Sequence, residues 1–300
     1  MNLASTTVPS VGCRLIDTGV VRPGTARGAI SATMAPMTHE IPLIGGMDDR
    51  YAPVRIGDTV RRAAGTARAT VRDLLLYLEA VGFEGAPRYL GIDEEGREVL
   101  SWIDGEVPLP PYPAWAMTDR AMADLGALIR RLHDATASFQ TIHDDWSTQW
   151  GDPAGAGPVI CHNDLFPENV VFRDGRVVAL IDFAMASPGR PLWDLAIAGE
   201  TWGPLGDPVR RDQHPPDLDG VARFGILARA YGLDPADAEA LIDVLVEERA
   251  HSVANIRAEI EDVNPAWIRD WADAGGGVRA AADDAWISRH RDALIRVLKG

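Results

Sequence analysis

The chain has 300 residues, 46% of them hydrophobic, with 29 lysines and arginines against 44 aspartates and glutamates and a formal net charge of −15. Such an excess of negative charge excludes a partner bound by counterion release, whether nucleic acid or an anionic membrane surface, and is compatible with a cationic small molecule. Only Cys13 and Cys161 are present, which excludes a disulfide framework and a thiolate metal cluster and fits a reducing cytoplasm; no run reaches the roughly 18 apolar residues of a membrane helix, and no secretory leader is expected.

Residues 1–38 mix Gly, Pro, Ser, Thr and Ala without a sustained apolar period and read as a flexible tail. From residue 39 come short β-rich runs: "EIPLIGG", then "APVRIGDTVRR" broken at Gly57-Asp58, then "YLGIDEEGREVLSWI" broken at Glu94-Glu95-Gly96. They predict a small antiparallel sheet. Between the second and third runs, Val71, Leu74, Leu75 and Leu78 recur at helical spacing until Gly82, so one helix packs on the sheet. After "DGEVPLPPYP" the pattern turns helical, starting with Met122, Leu125, Ile129 and Leu132. It resumes in the amphipathic stretches "VARFGILARAYG", "PADAEALIDVLVEERAHSVANIRAEIEDV" and "AADDAWISRHRDALIRVLKG". A hairpin interrupts this half, since "NVVF" and "RVVALIDF" flank Arg173-Asp174-Gly175. The expected architecture is α+β and two-lobed, and no internal repeat of fixed period is present.

The hairpin carries the chemistry. His162-Asn163-Asp164, Asn169 five residues after the aspartate, and Asp182 at the far end reproduce the order and spacing of the catalytic loop and metal-binding aspartate of protein kinases. Two aspartates flanking a hairpin are by themselves ordinary turn residues. Specificity comes from the ordered set: His-x-Asp, Pro167, Asn169, two apolar runs, Asp182-Phe183 and, downstream, Trp193-Asp194-Leu195. A returning hairpin sets Asp182 beside Asn169, giving two oxygen-bearing side chains for one hard cation such as Mg²⁺. Asp164, ahead of the hairpin, is placed to accept a proton from an attacking hydroxyl.

In "HNDLFPEN" and "LIDFAMASPGRPLWDLA" the sequence resembles the aminoglycoside phosphotransferase family, densely over residues 160–198 and more thinly from about residue 41 to the C-terminus. The resemblance implies a protein-kinase-like fold, with a nucleotide-binding lobe at 39–103 and a lobe at 104–300 carrying the catalytic loop and acceptor-binding helices. It implies transfer of the γ-phosphate of ATP, or of GTP in its place, with Mg²⁺, to a hydroxyl of a small molecule, an aminoglycoside or related antibiotic. By it Asp164 is the catalytic base or hydroxyl-positioning group, Asn169 and Asp182 are the Mg²⁺ ligands, Asp194 is a buried brace for the catalytic loop, and His162 supports that loop through backbone. Asn163 stands where the family carries glycine, and asparagine tolerates left-handed backbone angles.

In the nucleotide half, Gly45-Gly46 reads equally as a phosphate-covering turn and as a plain hairpin turn. Strand alternation with Val60 under an adenine sets Arg62 beside the phosphates and points Arg61 to solvent. The family has lysine at such a place; arginine, forked and permanently charged, also binds phosphate. The resemblance implies an acidic partner on the helix, Asp73 or Glu79, either of which also reads as a solvated face; it likens "VLSWIDGE" to the segment joining the lobes, whose backbone near Trp102 and Ile103 would meet the adenine edge, while Trp102 reads equally as packing. The acidic C-terminal helices, with Glu247, Glu248, Asp283 and Asp284 among others, read as a solvated face or as a bed for a cationic amino sugar. Trp267, Trp271 and Trp286 read as core, or as rings that stack on a sugar. Two other roles fit the sequence: a metabolic kinase for a sugar, homoserine or choline, and a catalytically silent binding or immunity protein on a kinase-like scaffold.

Overall fold

The computed structural model of the chain describes residues 39–43, 52–63, 68–207, 213–262, 272 and 275–300. The tail expected over 1–38, Gly45-Gly46, Trp267 and Trp271 lie outside them.

The N-terminal half is a five-stranded antiparallel sheet in the order β1-β2-β3-β5-β4, built from β1 (Ile41–Pro42), β2 (Val54–Ile56), β3 (Thr59–Arg62), β4 (Tyr89–Ile92) and β5 (Glu98–Ser101). The β2–β3 turn is Gly57-Asp58, with Gly57 at φ 58°, a conformation that glycine adopts without steric cost. Register pairs Val60 with Leu100 and Arg62 with Glu98, so those four residues share one face of the sheet. Arg61, on the opposite face, does not run into solvent as alternation alone suggests. It lies 3.3 Å from Asp93 and its side chain is 16% exposed, because the carboxylate beyond β4 draws the guanidinium back along the sheet.

Helix α1 (Ala69–Ala80) buries Val71, Leu74, Leu75 and Leu78, the spacing read from the sequence. Its own side chains provide no N-cap. The cap comes from a distant segment: Asp145 accepts from the N–H of Ala69 at 2.7 Å and of Thr70 at 2.9 Å. Burial opposes the charge, yet these bonds hold the Asp145 carboxyl down at about 2.

The C-terminal half is mostly helical: α2 (Asp119–Thr136), α3 (Pro191–Trp202), α4 (Gly220–Tyr231), α5 (Ala238–Asp262) and α6 (Gly276–Lys299). Met122, Leu125, Leu128, Ile129 and Leu132 of α2 are buried in one core with Trp193 and Trp202 of α3, Phe224 and Leu227 of α4, Leu241 and Leu245 of α5 and Leu294 of α6. Each such side chain contributes about 1.5–3 kcal/mol relative to exposure. Trp286 of α6 is also core, as expected. Helix α3 was not expected as a helix. Among the described residues no helix is long and apolar enough to cross a membrane.

Two small antiparallel pairs are set among these helices: β6 (Val159–Cys161) with β9 (Ser187–Gly189), and β7 (Val170–Arg173) with β8 (Arg176–Leu180). The β7–β8 turn is Asp174-Gly175, both at positive φ, the form whose twist matches a hairpin. Phe172 exchanges two backbone hydrogen bonds with Glu106, at 2.7 and 2.8 Å, and so ties the hairpin to the segment that leaves β5. Gly105, at φ 152°, permits that approach, since a Cβ there would lie 2.3 Å from the Phe172 carbonyl oxygen. The chain is thus α+β and two-lobed, and the β7–β8 hairpin is fastened to the segment that leaves β5.

Candidate active site

Residues between β6 and β7 form a buried loop whose shape is set by α3. Asp194, in the first turn of α3 and fully buried, accepts the backbone N–H of Asn163 on Oδ1 at 2.9 Å and that of His162 on Oδ2 at 2.8 Å. Oδ2 also meets His133 Nε2 at 3.0 Å. Burial would raise this carboxyl, but the His133 contact and the two N–H donors hold it below the ordinary range. Asn163 takes φ 63°, and its amide Nδ2 donates to the Met185 carbonyl and to Ser187 Oγ, both at 2.8 Å.

His162 is fully buried. Its Nδ1 accepts the Asp164 N–H at 3.3 Å, so Nε2 carries the hydrogen and donates to the Ile181 carbonyl at 3.1 Å. Burial lowers its affinity for a second proton, and the ring packs edge-on against Phe183.

This loop carries Asp164 and Asn169 into contact. Asn169 Nδ2 donates to Asp164 Oδ2 at 2.7 Å and to the Asp164 carbonyl at 2.9 Å. The Ile181 N–H donates to the Asn169 carbonyl at 2.9 Å, which sets the next residue, Asp182, alongside. Asp182 adopts φ 62°, ψ 66°, a left-handed conformation that Asp and Asn accept more readily than other side chains. Burial first, and the Asp182 carboxylate second, push the Asp164 carboxyl well above its ordinary value. Asp164 Oδ1 and Asn169 Oδ1 are buried oxygens with no hydrogen-bond partner. The orphaned Asn169 Oδ1 and the neighbouring Asp182 carboxylate are oxygen donors of the kind a hard divalent cation takes, and Asp164 Oδ1 is left beside them.

Arg62 reaches the same place from the sheet. Its guanidinium lies 3.4 Å from Asp182 Oδ1 and 3.7 Å from Glu98 Oε2. The acid beside it is therefore not on α1. Asp73 instead accepts from Thr141 and Arg72, and Glu79 faces Arg88. Glu98 went unnoticed in the sequence, although alternation in "EVLS" gives it the same buried face as Leu100. Behind Arg62 a cleft is lined by Pro53, Val60, Leu100, Trp102, Ile103 and Ile181, with Arg62 and Asp182 at its polar end. The backbone N–H of Trp102 is already donated to the Asp58 carbonyl at 2.9 Å, and Arg55 lies over the Trp102 ring at 4.1 Å. An apolar slot with one charged end suits a purine nucleotide.

A second cavity, of about 320 Å³, opens on the other side of Asp164. Ile197 of α3, Val253 and Ile256 of α5, Met185 and Phe166 form apolar wall, and Asn163, Glu200, Glu248, Arg249 and Asp283 form the polar part. Glu248 and Asp283 are therefore not a solvated face, whereas Glu247 and Asp284 are exposed. Arg249 pairs with Glu200, with Asp284 at 2.8 Å and with Asp283 at 3.9 Å. Glu248 accepts from Ser252 at 2.7 Å, and burial together with the Glu200 carboxylate pushes its own carboxyl up to about 8. Glu247 pairs with Arg190. Glu259, Glu261, Asp262, Asp270 and Asp273 have no described side-chain environment.

Residues 146–222 match the model of the phosphotransferase enzyme family. The trifolitoxin immunity protein of Rhizobium leguminosarum bv. trifolii is 34% identical over 282 residues, which cover 87% of this chain and 100% of that protein. Among solved structures, a choline/ethanolamine kinase family protein from Mesorhizobium loti superposes with a TM-score of 0.57 at 18% identity, covering 88% of this chain and 93% of the other. The gentamicin complex of APH(2")-IIa superposes with a TM-score of 0.51 at 14% identity, covering 79% and 90%. Similarity along nearly the whole length to a relative of 34% identity, together with the family match over residues 146–222, shows that the chain belongs to the phosphotransferase enzyme family, and the solved structures show that it has a kinase-like fold.

Proposed function

We propose that the chain transfers the γ-phosphate of ATP to a hydroxyl of a small antibiotic or toxin, with Mg²⁺ as cofactor. The observation that carries this reading is the meeting of Asp164, Asn169 and Asp182 around buried, unpartnered oxygens at the mouth of an apolar cleft. Asn169 and Asp182 are the residues that hold the metal, which supplies charge neutralisation at the phosphates when bound. Asp164 orients the acceptor hydroxyl and takes its proton, Arg62 binds phosphate oxygens, and Val60, Leu100 and Ile103 enclose the base. Asp194 keeps the loop in shape without touching either reactant. So sparse a set suffices because phosphoryl transfer passes through a loose transition state that needs positioning and charge more than covalent help.

An antibiotic or toxin is favoured as acceptor because the relative that matches over its whole length is an immunity protein. An aminoglycoside fits the family. The cavity beside Asp164 adds to that an apolar wall and acids already matched with Arg249, which suit an acceptor with a substantial apolar body. Incubation with labelled ATP, Mg²⁺ and a panel of aminoglycosides, other hydroxylated antibiotics, homoserine and choline tests the reading. Transfer of label to one class, absent with Asp164→Asn, supports it.

The same relative also favours a second reading, immunity by binding without chemistry. In that case the protein protects cells against its toxin equally well with Asp164→Asn, and no acceptor takes up label.

A further inference from the structure

The lobe cation of a kinase-like fold needs an acid to hold it over the phosphates, and neither acid of α1 is in position to do so. Helix α1 carries two, Asp73 and Glu79, and both are committed elsewhere. Asp73 takes the Thr141 hydroxyl at 2.8 Å and the Arg72 guanidinium at 3.0 Å, and Glu79 faces Arg88 on the outer surface. The face that α1 turns inward is Val71, Leu74, Leu75 and Leu78, with no charge among them.

A different acid lies against Arg62. Glu98 is its cross-strand partner in the β3–β5 register. The Glu98 side chain is 2% exposed, its Oε2 lies 3.7 Å from the guanidinium, and its Oε1 is buried without a hydrogen-bond partner. A carboxylate buried to that degree is costly unless a cation stands beside it, and removing either partner strands the other. Arg62 is also 3.4 Å from Asp182 Oδ1, so Glu98 sits behind the guanidinium and Asp182 in front of it, at the polar end of the cleft.

We propose that Glu98, on strand β5, is the positioning residue that holds Arg62 over the nucleotide phosphates, the task that no acid of α1 is placed to perform. This rests on the reading of the cleft as a nucleotide site. It makes the ion pair a property of the sheet: adjacent strands fix both partners, and α1 need not move for the pair to form. Asp182 then becomes available to the metal when phosphate oxygens take its place on the guanidinium.

The test is a double-mutant cycle on Mg²⁺–ATP affinity, measured by calorimetry on the full chain with Glu98→Ala, Arg62→Ala and the double variant, alongside Glu98→Gln and melting curves. The expected loss for Glu98→Ala is about tenfold in Kd, partly restored by Glu98→Gln, and it vanishes in the Arg62→Ala background because the residue acts through Arg62. Asp73→Ala and Glu79→Ala are expected to bind Mg²⁺–ATP as wild type does. Undiminished ATP binding by folded Glu98→Ala overturns the proposal, and so does a loss of equal size with and without Arg62, which would mark a structural effect. Wild-type protein that binds no Mg²⁺–ATP overturns the nucleotide reading itself and the proposal with it. Folded Glu98→Ala that matches a binding wild type overturns the proposal alone. If Glu98→Ala does not fold, Glu98→Gln decides: affinity equal to wild type with Arg62 present overturns the proposal.

Discussion

Asn169 donates its side-chain amide to Asp164 Oδ2 at 2.7 Å, leaving Asp164 Oδ1 as a buried oxygen without a partner. One oxygen is therefore spent on holding the loop and the other is left for chemistry. Asp164→Asn preserves the first contact with an oxygen of its own amide and removes the base. The expected result is a kcat lower by about 10²–10⁴-fold, with ATP affinity and melting temperature near wild type. Loss of activity in step with loss of folded protein would assign Asp164 to structure instead.

Asp182 stands at φ 62°, so the informative replacement is asparagine, which accepts that backbone and removes the charge. Asp182→Asn is expected to stay folded, to lose turnover, and to bind ATP equally with Mg²⁺ and with a chelator. A Mg²⁺ requirement for nucleotide binding that survives in this variant removes Asp182 from the metal site.

Asp194 accepts two backbone N–H groups and touches His133 with no exposed surface. Asp194→Ala strands those donors, and urea unfolding is expected to show a loss of about 3–5 kcal/mol. The pH dependence follows from its depressed folded value: below the ordinary carboxylate value of 3.8 the unfolded chain takes up the proton first. Its stabilisation is full above that value and is lost as pH falls through the lower folded one. Acid unfolding midpoints of wild type and variant, compared side by side, check the sign.

Glu248 works in the opposite direction. Burial beside Glu200 raises its carboxyl from 4.5 to about 8, so between those values the folded chain holds the proton more tightly than the unfolded chain. Wild-type stability from this group falls as pH rises across that window. Glu248→Gln, which mimics the protonated form, is expected to melt close to wild type near pH 5 and above it at about pH 9. A variant that melts lower at both values would show that the ionised carboxylate is stabilising.

The parts of this molecule that sequence made legible are those with local causes. Asp174-Gly175 announces the β7–β8 turn, α1 and α2 have one apolar stripe each, and the ordered set from His162 to Asp182 brings its own spacing. Helix α3 was illegible because residues 193–199 are buried on every side, which erases the polar face that periodicity needs. Strand β9, "SPG", carries a proline and a glycine and is a strand only through its pairing with β6. Glu98 as the partner of Arg62 and Asp93 as the partner of Arg61 are encounters across the sheet, 36 and 32 residues apart in sequence. Nothing local in either stretch announces them.

The Asp145 cap on α1 has a mechanical consequence. The first N–H groups of that helix are bonded to a carboxylate that follows α2 in the chain, and Asp73 further along is bonded to Thr141 of the same segment. Helix α1 is therefore riveted to the helical half although its sequence lies between strands of the sheet. The N-terminus of the helix is held by a segment of the other half, and not by the strands that flank it in sequence.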